Sequence, residues 1–232
     1  MDADEIAQNV TAIRSRIAQA CARSGRDPSL ITLVAVTKTV DLPRLRTAYR
    51  GGLRDFGENY VQEALTKVGD PELPDASVHW HFIGHLQRNK VREIIGRFAL
   101  IQSVDSLALA TEIGRRSEAA GRTSDLLLEV KLDATAAKFG LPPEQTLTTA
   151  QAVLDIPGVR VRGLMGMAPF GSDPEIARPA FRTLRNLFDQ LPAEARQVLS
   201  MGMSSDFEVA IEEGATMIRI GTALFGKRPP PE

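Results

Sequence analysis

Eight short apolar runs, separated by helix-like stretches, recur along these 232 residues. That alternation limits the fold more than any other feature. The runs are ITLVAVT at 31–37, Leu53–Phe56, Val78–Ile83, Ala99–Val104, Leu126–Leu132, Val159–Met165, Gln197–Met201 and Thr216–Ile220. Each is too short for a typical helix and reads as a strand. Strands that alternate with helices pair in parallel through right-handed crossovers. Eight such units close into a (β/α)8 TIM barrel, which abolishes both sheet edges. A doubly wound open sheet is the structural rival.

The segments between the runs carry helix-start signals. Asp41 stands before Leu42-Pro43, Asp105 before SLALATEIGRR, Pro142-Pro143-Glu144 opens another segment, and Asp173-Pro174 a further one. Ser205-x-x-Glu208 has the spacing of a capping box. Ahead of the first strand, Ile6, Val10, Ile13 and Ile17 recur at three- and four-residue steps, predicting a helix over 3–24 that Gly25 and Pro28 close. Residues 1–28 are thus an extra N-terminal helix. No low-complexity linker divides the chain, so residues 1–232 are expected to form one domain, with 228–232 (RPPPE) a loose tail.

Composition narrows the function classes. The 28 basic and 29 acidic residues nearly cancel, without the basic excess of a nucleic-acid binder. Cys21 is the only cysteine, so neither an internal disulfide nor a thiolate metal cluster is available, which suits a reducing cytoplasm. MDADEIAQNV lacks the basic and apolar regions of a secretory signal, and no stretch approaches the ~18 apolar residues of a membrane span.

Barrel chemistry sits at the C-terminal ends of the strands. Lys38 follows VAVT directly, on the strand face of Val34 and Val36. If that face points inward, the amine is partly desolvated, its pKa falls, and it becomes a nucleophile for an aldehyde. From position alone, a solvated lysine leaving a strand is the simpler reading. Asn59, in GENY, offers a donor and an acceptor to a ligand edge, or caps the next helix. Ser200-Met201-Gly202-Met203-Ser204-Ser205 and Arg219-Ile220-Gly221-Thr222 follow strands seven and eight, where barrels commonly bind phosphate with backbone N–H groups and hydroxyls. Ordinary capped turns would look the same. Arg219 lies in the apolar run TMIRIG and needs either a ligand acceptor or a carboxylate such as Glu129 or Asp133. His79 and His81 share a strand face, but no adjacent carboxylate or cysteine completes a zinc set, and no metal is expected.

Six segments, AVTKTV, FGENYVQEA, WHFIGHLQRNK, RGLMGM, SMGMSSDFEVAIEEG and RIGTALFG, run in order from about residue 31 to 226. Together they resemble the signatures of the pyridoxal phosphate homeostasis proteins, the YggS/PROSC-like relatives of the alanine racemase N-terminal barrel (PLP fold type III). The resemblance implies pyridoxal 5′-phosphate (PLP) held as a Schiff base by Lys38, with Asn59 beside the ring and Arg219 facing the pyridine nitrogen. It also implies a phosphate site at Ser200, Gly202, Gly221 and Thr222, with Met201 and Ser204 as further members and His81 and Ile83 on a strand passing near the ring.

The implied role is intracellular PLP homeostasis and delivery, with apo PLP-dependent enzymes as recipients and a monomer as the working unit. No nucleic acid, membrane or catalytic residue is expected to be involved. The competing reading is an amino-acid racemase using the same linkage. Racemisation needs a base on each face of the bound substrate, and the barrel is expected to consume the chain, leaving no second domain to supply one. Tyr49 and Tyr60 are the only tyrosines; Tyr49 lies in the first crossover helix and Tyr60 is expected to pack. A third reading keeps the barrel as a binder of phosphorylated metabolites and drops the cofactor.

Overall fold

The computed structural model describes residues 3–74, 77–133 and 139–226, so the tail expected at 228–232 lies outside the described residues. Eight parallel strands form a closed barrel in chain order: β1 (Thr32–Val36), β2 (Asp55–Glu58), β3 (His79–Phe82), β4 (Leu100–Val104), β5 (Ser124–Lys131), β6 (Val159–Met167), β7 (Val198–Ser200) and β8 (Met217–Ile220). Val34 pairs with both Asp55 of β2 and Arg219 of β8, and that double pairing closes the ring.

The crossovers carry α2 (Leu42–Arg50), α3 (Val61–Leu65), α4 (Val91–Ile94), α5 (Leu107–Ala119), α6 (Pro143–Leu154), α7 (Arg178–Asp189) and α8 (Phe207–Glu212), and the single turn α9 (Thr222–Phe225) follows β8. All eight expected strands are present. β2 begins two residues later than its apolar run, because Leu53 packs into the outer core while Gly57 and Glu58 continue the ladder.

The barrel wall separates two apolar regions. Outward side chains such as Ala35, Phe56, Trp80, Phe82, Leu126 and Leu164 meet the helices in one continuous core. Inside, Val34, Leu100, Leu127, Met165 and Met217 form a small plug. An inner cluster this small leaves the rest of the interior to polar groups, and those groups define the site.

The N-terminal helix α1 (Ala3–Ser24) buries Ile6, Val10, Ile13, Ile17, Ala20 and Cys21 against α2, α8 and α9, across the seam where β8 meets β1. Each large aliphatic side chain so buried contributes roughly 1.5–3 kcal/mol. Polar ties fix its register. Arg16 makes a two-pronged pair with Glu208 at 2.7 and 2.9 Å, and Asn9 Nδ2 donates to the Leu224 carbonyl.

Two start signals resolve differently from the sequence reading. Ser106, not Asp105, caps α5, accepting from the Leu109 amide. The Ser205–Glu208 capping box does not form. Glu208 is drawn off to Arg16, while the Asp206 carboxylate accepts from the Met203 amide at 2.6 Å. Asp41 does cap α2, through the Arg44 amide. No helix among the described residues is long and apolar enough to cross a membrane.

Candidate functional site

Parallel strands place every strand's C-terminal end at one mouth, so Lys38, Asn59, the loop 201–205 and the turn 221–222 share that end. Val34 points into the inner plug, as the face assignment required. Lys38 lies two residues past the end of β1, half-buried in a turn that also holds Thr39 at φ 59°. Left-handed backbone is costly for a β-branched residue and calls for something to hold it.

Asn59 leaves β2 half-buried, and its Oδ1 is buried without a hydrogen-bond partner. Such an atom is rare in a finished interior and marks a place where a ligand donor fits. Two glycines shape the surroundings. A Cβ on Gly57 would stand 2.8 Å from Ile83 Cδ1 and 3.0 Å from Val34 Cγ1, and one on Gly84 would stand 2.2 Å from the Asn59 carbonyl oxygen. The β2 and β3 loops therefore meet backbone to backbone.

On the far side, Gly202 takes φ 93° with its Cα against Ala210 and Phe207, a conformation and a closeness that exclude a side chain. Its carbonyl accepts from the Arg219 amide at 3.0 Å. Ser204 Oγ accepts from the Ala223 amide at 3.2 Å and so ties the β7 loop to the turn after β8. Gly221, Thr222 and Ser204 together form a small polar rim. Met201 does not join it. Its side chain is in the outer core and its amide donates to the Met217 carbonyl, which leaves it no donor for an anion.

Beneath the mouth a hydrogen-bonded chain crosses the barrel. Arg219 Nη1 donates to Ser200 Oγ at 2.6 Å, Ser200 donates to Gln102 Oε1 at 2.7 Å, and Gln102 Nε2 donates to His81 Nδ1 at 3.1 Å. His81 must then carry its proton on Nε2, which faces Asp55 Oδ1 at 3.0 Å. Arg219 Nη2 donates to the Gly166 carbonyl at 3.0 Å.

Neither Arg219 partner is a carboxylate, so the ion-pair alternative takes a looser form in which Glu129 acts through its field alone. Burial lowers the Arg219 pKa to about 10, countered by Glu129 and Asp206. Burial raises Glu129 to about 7, reinforced by Asp105 and opposed by Arg219. Asp206 is raised by burial as well. The site thus holds one permanent cation among carboxyls that burial biases toward the neutral form.

Of the sequence-named residues, Lys38, Asn59, Arg219, Gly202, Ser204, Gly221 and Thr222 surround the mouth, while Ser200 and His81 lie in the layer that orients Arg219. Neither tyrosine is packed into that arrangement. Tyr60 is 47% exposed instead of packed, and Tyr49 bonds Ser77 behind α2. Gln102 escaped the sequence reading. The signal was available, since an amide in the run ALIQSV, apolar but for Gln102 and Ser103, raises the same question as Arg219 in TMIRIG.

Between the ends of β5 and β6 a cleft of about 200 Å³ opens beside Glu129, lined by Lys131, Met167, Phe170 and Met203. An unpartnered amide oxygen, a buried guanidinium, a glycine-serine-threonine rim and a half-buried lysine fit a flat, phosphorylated ring that carries an electrophile. Together they offer such a group an acceptor at its edge, a cationic donor, donors for its phosphate and an amine for its electrophile.

Comparison with known proteins gives that arrangement a family setting. The family model described as alanine racemase, N-terminal domain, matches residues 1–229. A protein of Aquifex aeolicus called pyridoxal phosphate homeostasis protein is 44% identical over 224 residues, covering 95% of this chain and 97% of that one. The protein of the same name from Pseudomonas aeruginosa is 43% identical, with 96% of each chain covered. The solved structure of PipY from Synechococcus elongatus with PLP bound superposes with a TM-score of 0.81 at 38% identity, over 95% of this chain and all of that one. An alanine racemase from Clostridium difficile shares the fold alone, with a TM-score of 0.74 at 13% identity over 98% of this chain and 60% of that one.

Proposed function

This chain belongs to the pyridoxal phosphate homeostasis proteins, within the alanine racemase N-terminal domain family, and we propose that it binds pyridoxal 5′-phosphate as a Schiff base on Lys38 and acts as a carrier. In this reading the chain works as one domain over residues 1–232, as a cytoplasmic monomer that releases its cargo to apo-enzymes. The observation that carries it is the convergence, at one barrel mouth, of Lys38, the unpartnered Asn59 Oδ1, the buried Arg219 and the Ser204-tied turn at Gly221.

Each residue has a part to play. Lys38 supplies the amine, Asn59 the ring-edge hydrogen bond, and Gly202, Ser204, Gly221 and Thr222 the phosphate contacts, with Ser200 supporting from beneath. When bound, the cofactor supplies an aldehyde that condenses with an amine and expels one water. His81 and Gln102 fix Ser200, which in turn fixes the plane of the Arg219 guanidinium.

A guanidinium only donates, so it bonds an unprotonated ring nitrogen and keeps the ring a weak electron sink. That favours holding over turnover. The exposed Tyr60 offers no enclosed second base, and the curated relatives carry a homeostasis name rather than an enzyme name. The direct check is a chiral assay of free amino acids with PLP-loaded protein. Interconversion no faster than with free cofactor is expected. Turnover at ordinary enzyme rates, ~1–10³ per second, would replace the carrier by a racemase.

A further inference from the structure

The turn that carries Lys38 is pinned from both sides by a buried ionic cluster that belongs to a different crossover. Lys67, in the turn just past α3 and nearly inaccessible, directs its ammonium at three acceptors: the Thr37 carbonyl at 2.7 Å, Glu58 Oε1 at 2.8 Å and Glu63 Oε1 at 2.7 Å. All three donors of the ammonium are spent. Glu58, at the end of β2, also accepts from Thr37 Oγ1 at 2.6 Å. Glu63 Oε1 accepts from the Thr39 amide. The residues on either side of Lys38 are therefore tied to one cluster, Thr37 through Lys67 and Glu58 and Thr39 through Glu63. Thr39 is the only described non-glycine residue with positive φ, and its amide is the one Glu63 holds.

Stability alone does not account for such a cluster. Replacing a buried ion group by packed apolar residues is often neutral or favourable, so its retention calls for another reason. The geometry supplies one. The Val40 amide closes the turn by donating to the Thr37 carbonyl at 2.9 Å, and Glu63 takes the Thr39 amide inside it. Losing that acceptor removes one of the two ties that offset the cost of a left-handed threonine, and relaxation to negative φ would swing the Lys38 backbone.

We propose that Lys67, with Glu58 and Glu63, is a positioning cluster that aims the Lys38 amine into the barrel mouth. The inference rests on the cofactor reading above and adds to it the residues that set the lysine's direction. Lys67 touches no cofactor in this account and acts only through residues 37–39.

The test uses Glu63→Leu and Glu63→Gln in the full chain, beside the unaltered protein and Lys38→Ala, with the rate of borohydride-trapped PLP on the Lys38 peptide as readout and melting temperature as a control. Glu63 is partly exposed, so both variants should fold. Glu63→Leu is expected to slow trapping on the order of 10- to 100-fold, with a fall in melting temperature that the remaining Lys67–Glu58 pair limits. Glu63→Gln keeps an acceptor for Thr39 and should restore most of the rate.

If Glu63→Leu traps as fast as the unaltered protein, the cluster has no positioning role and the cofactor reading stands. If the unaltered protein traps nothing on Lys38, the cofactor reading itself fails. Should Glu63→Leu not fold, hydrogen exchange on the unaltered protein decides: a protected Thr39 amide supports the clamp, and an amide that exchanges like an open loop overturns it.

Discussion

Glu129→Gln is expected to remove a pH-dependent loss of stability that the unaltered protein shows between about pH 4.5 and pH 7. Burial holds the Glu129 carboxyl near pKa about 7 against an ordinary value of 4.5. Over that interval the folded state keeps a proton that the unfolded chain has lost, so stability falls as pH rises and levels off above 7. The full difference, two and a half units at 1.36 kcal/mol each, is about 3 kcal/mol. Glutamine mimics the protonated form at every pH. Its advantage over the parent is therefore absent at pH 4, grows through pH 6 and reaches about 3 kcal/mol at pH 8. Urea unfolding at four pH values measures it. Parallel stability curves for parent and variant would mean that Glu129 is solvated in solution.

Gly84→Ala should damage the site without altering any residue that lines it. The added methyl group would stand 2.2 Å from the Asn59 carbonyl oxygen, 2.6 Å from its Cα and 2.7 Å from its carbonyl carbon. All three are backbone atoms at the end of β2, so relief requires moving the strand end that carries Asn59. Overpacking of this kind costs about 1–3 kcal/mol, which in a chain of this size lowers the melting temperature by about 2–10 °C. The larger consequence is for binding: Asn59 is displaced, and PLP affinity should fall by about tenfold or more. Unchanged affinity in a destabilised Gly84→Ala would show that Asn59 does not contact the ring.

Much of this architecture is readable from local pattern. The eight strands are visible because each is a short run whose apolar residues the barrel wall buries, and that pattern survives any detail of packing. Lys38, Asn59 and Arg219 stand out as candidates because a barrel concentrates chemistry at strand ends and because a cation in an apolar strand needs a reason, while the roles proposed for them come from the family resemblance. What local pattern misses depends on pairs distant in the chain. The Ser205–Glu208 box fails because Arg16, on a helix 192 residues earlier, takes Glu208. The family resemblance implies Met201 as a member of the phosphate loop, but strand pairing to Met217 consumes its amide. The Lys67 cluster joins β2, α3 and the Lys38 turn. None of those three segments signals alone that the cluster closes around Thr37 and Thr39. Gln102 asks for a polar partner from sequence alone, but which one is settled only once β3, β4, β7 and β8 stand around one interior and hand a hydrogen bond from one to the next.

The measurement that bears most directly on the account is the visible spectrum of the purified protein with PLP, run beside Lys38→Ala. A band near ~420 nm in the parent, absent from the variant and fixed to the Lys38 peptide by borohydride, is the expected result for a lysine-bound aldehyde cofactor. Identical spectra in parent and variant, or borohydride labelling spread over other lysines, would contradict it and leave the barrel mouth as a site for some other phosphorylated ligand.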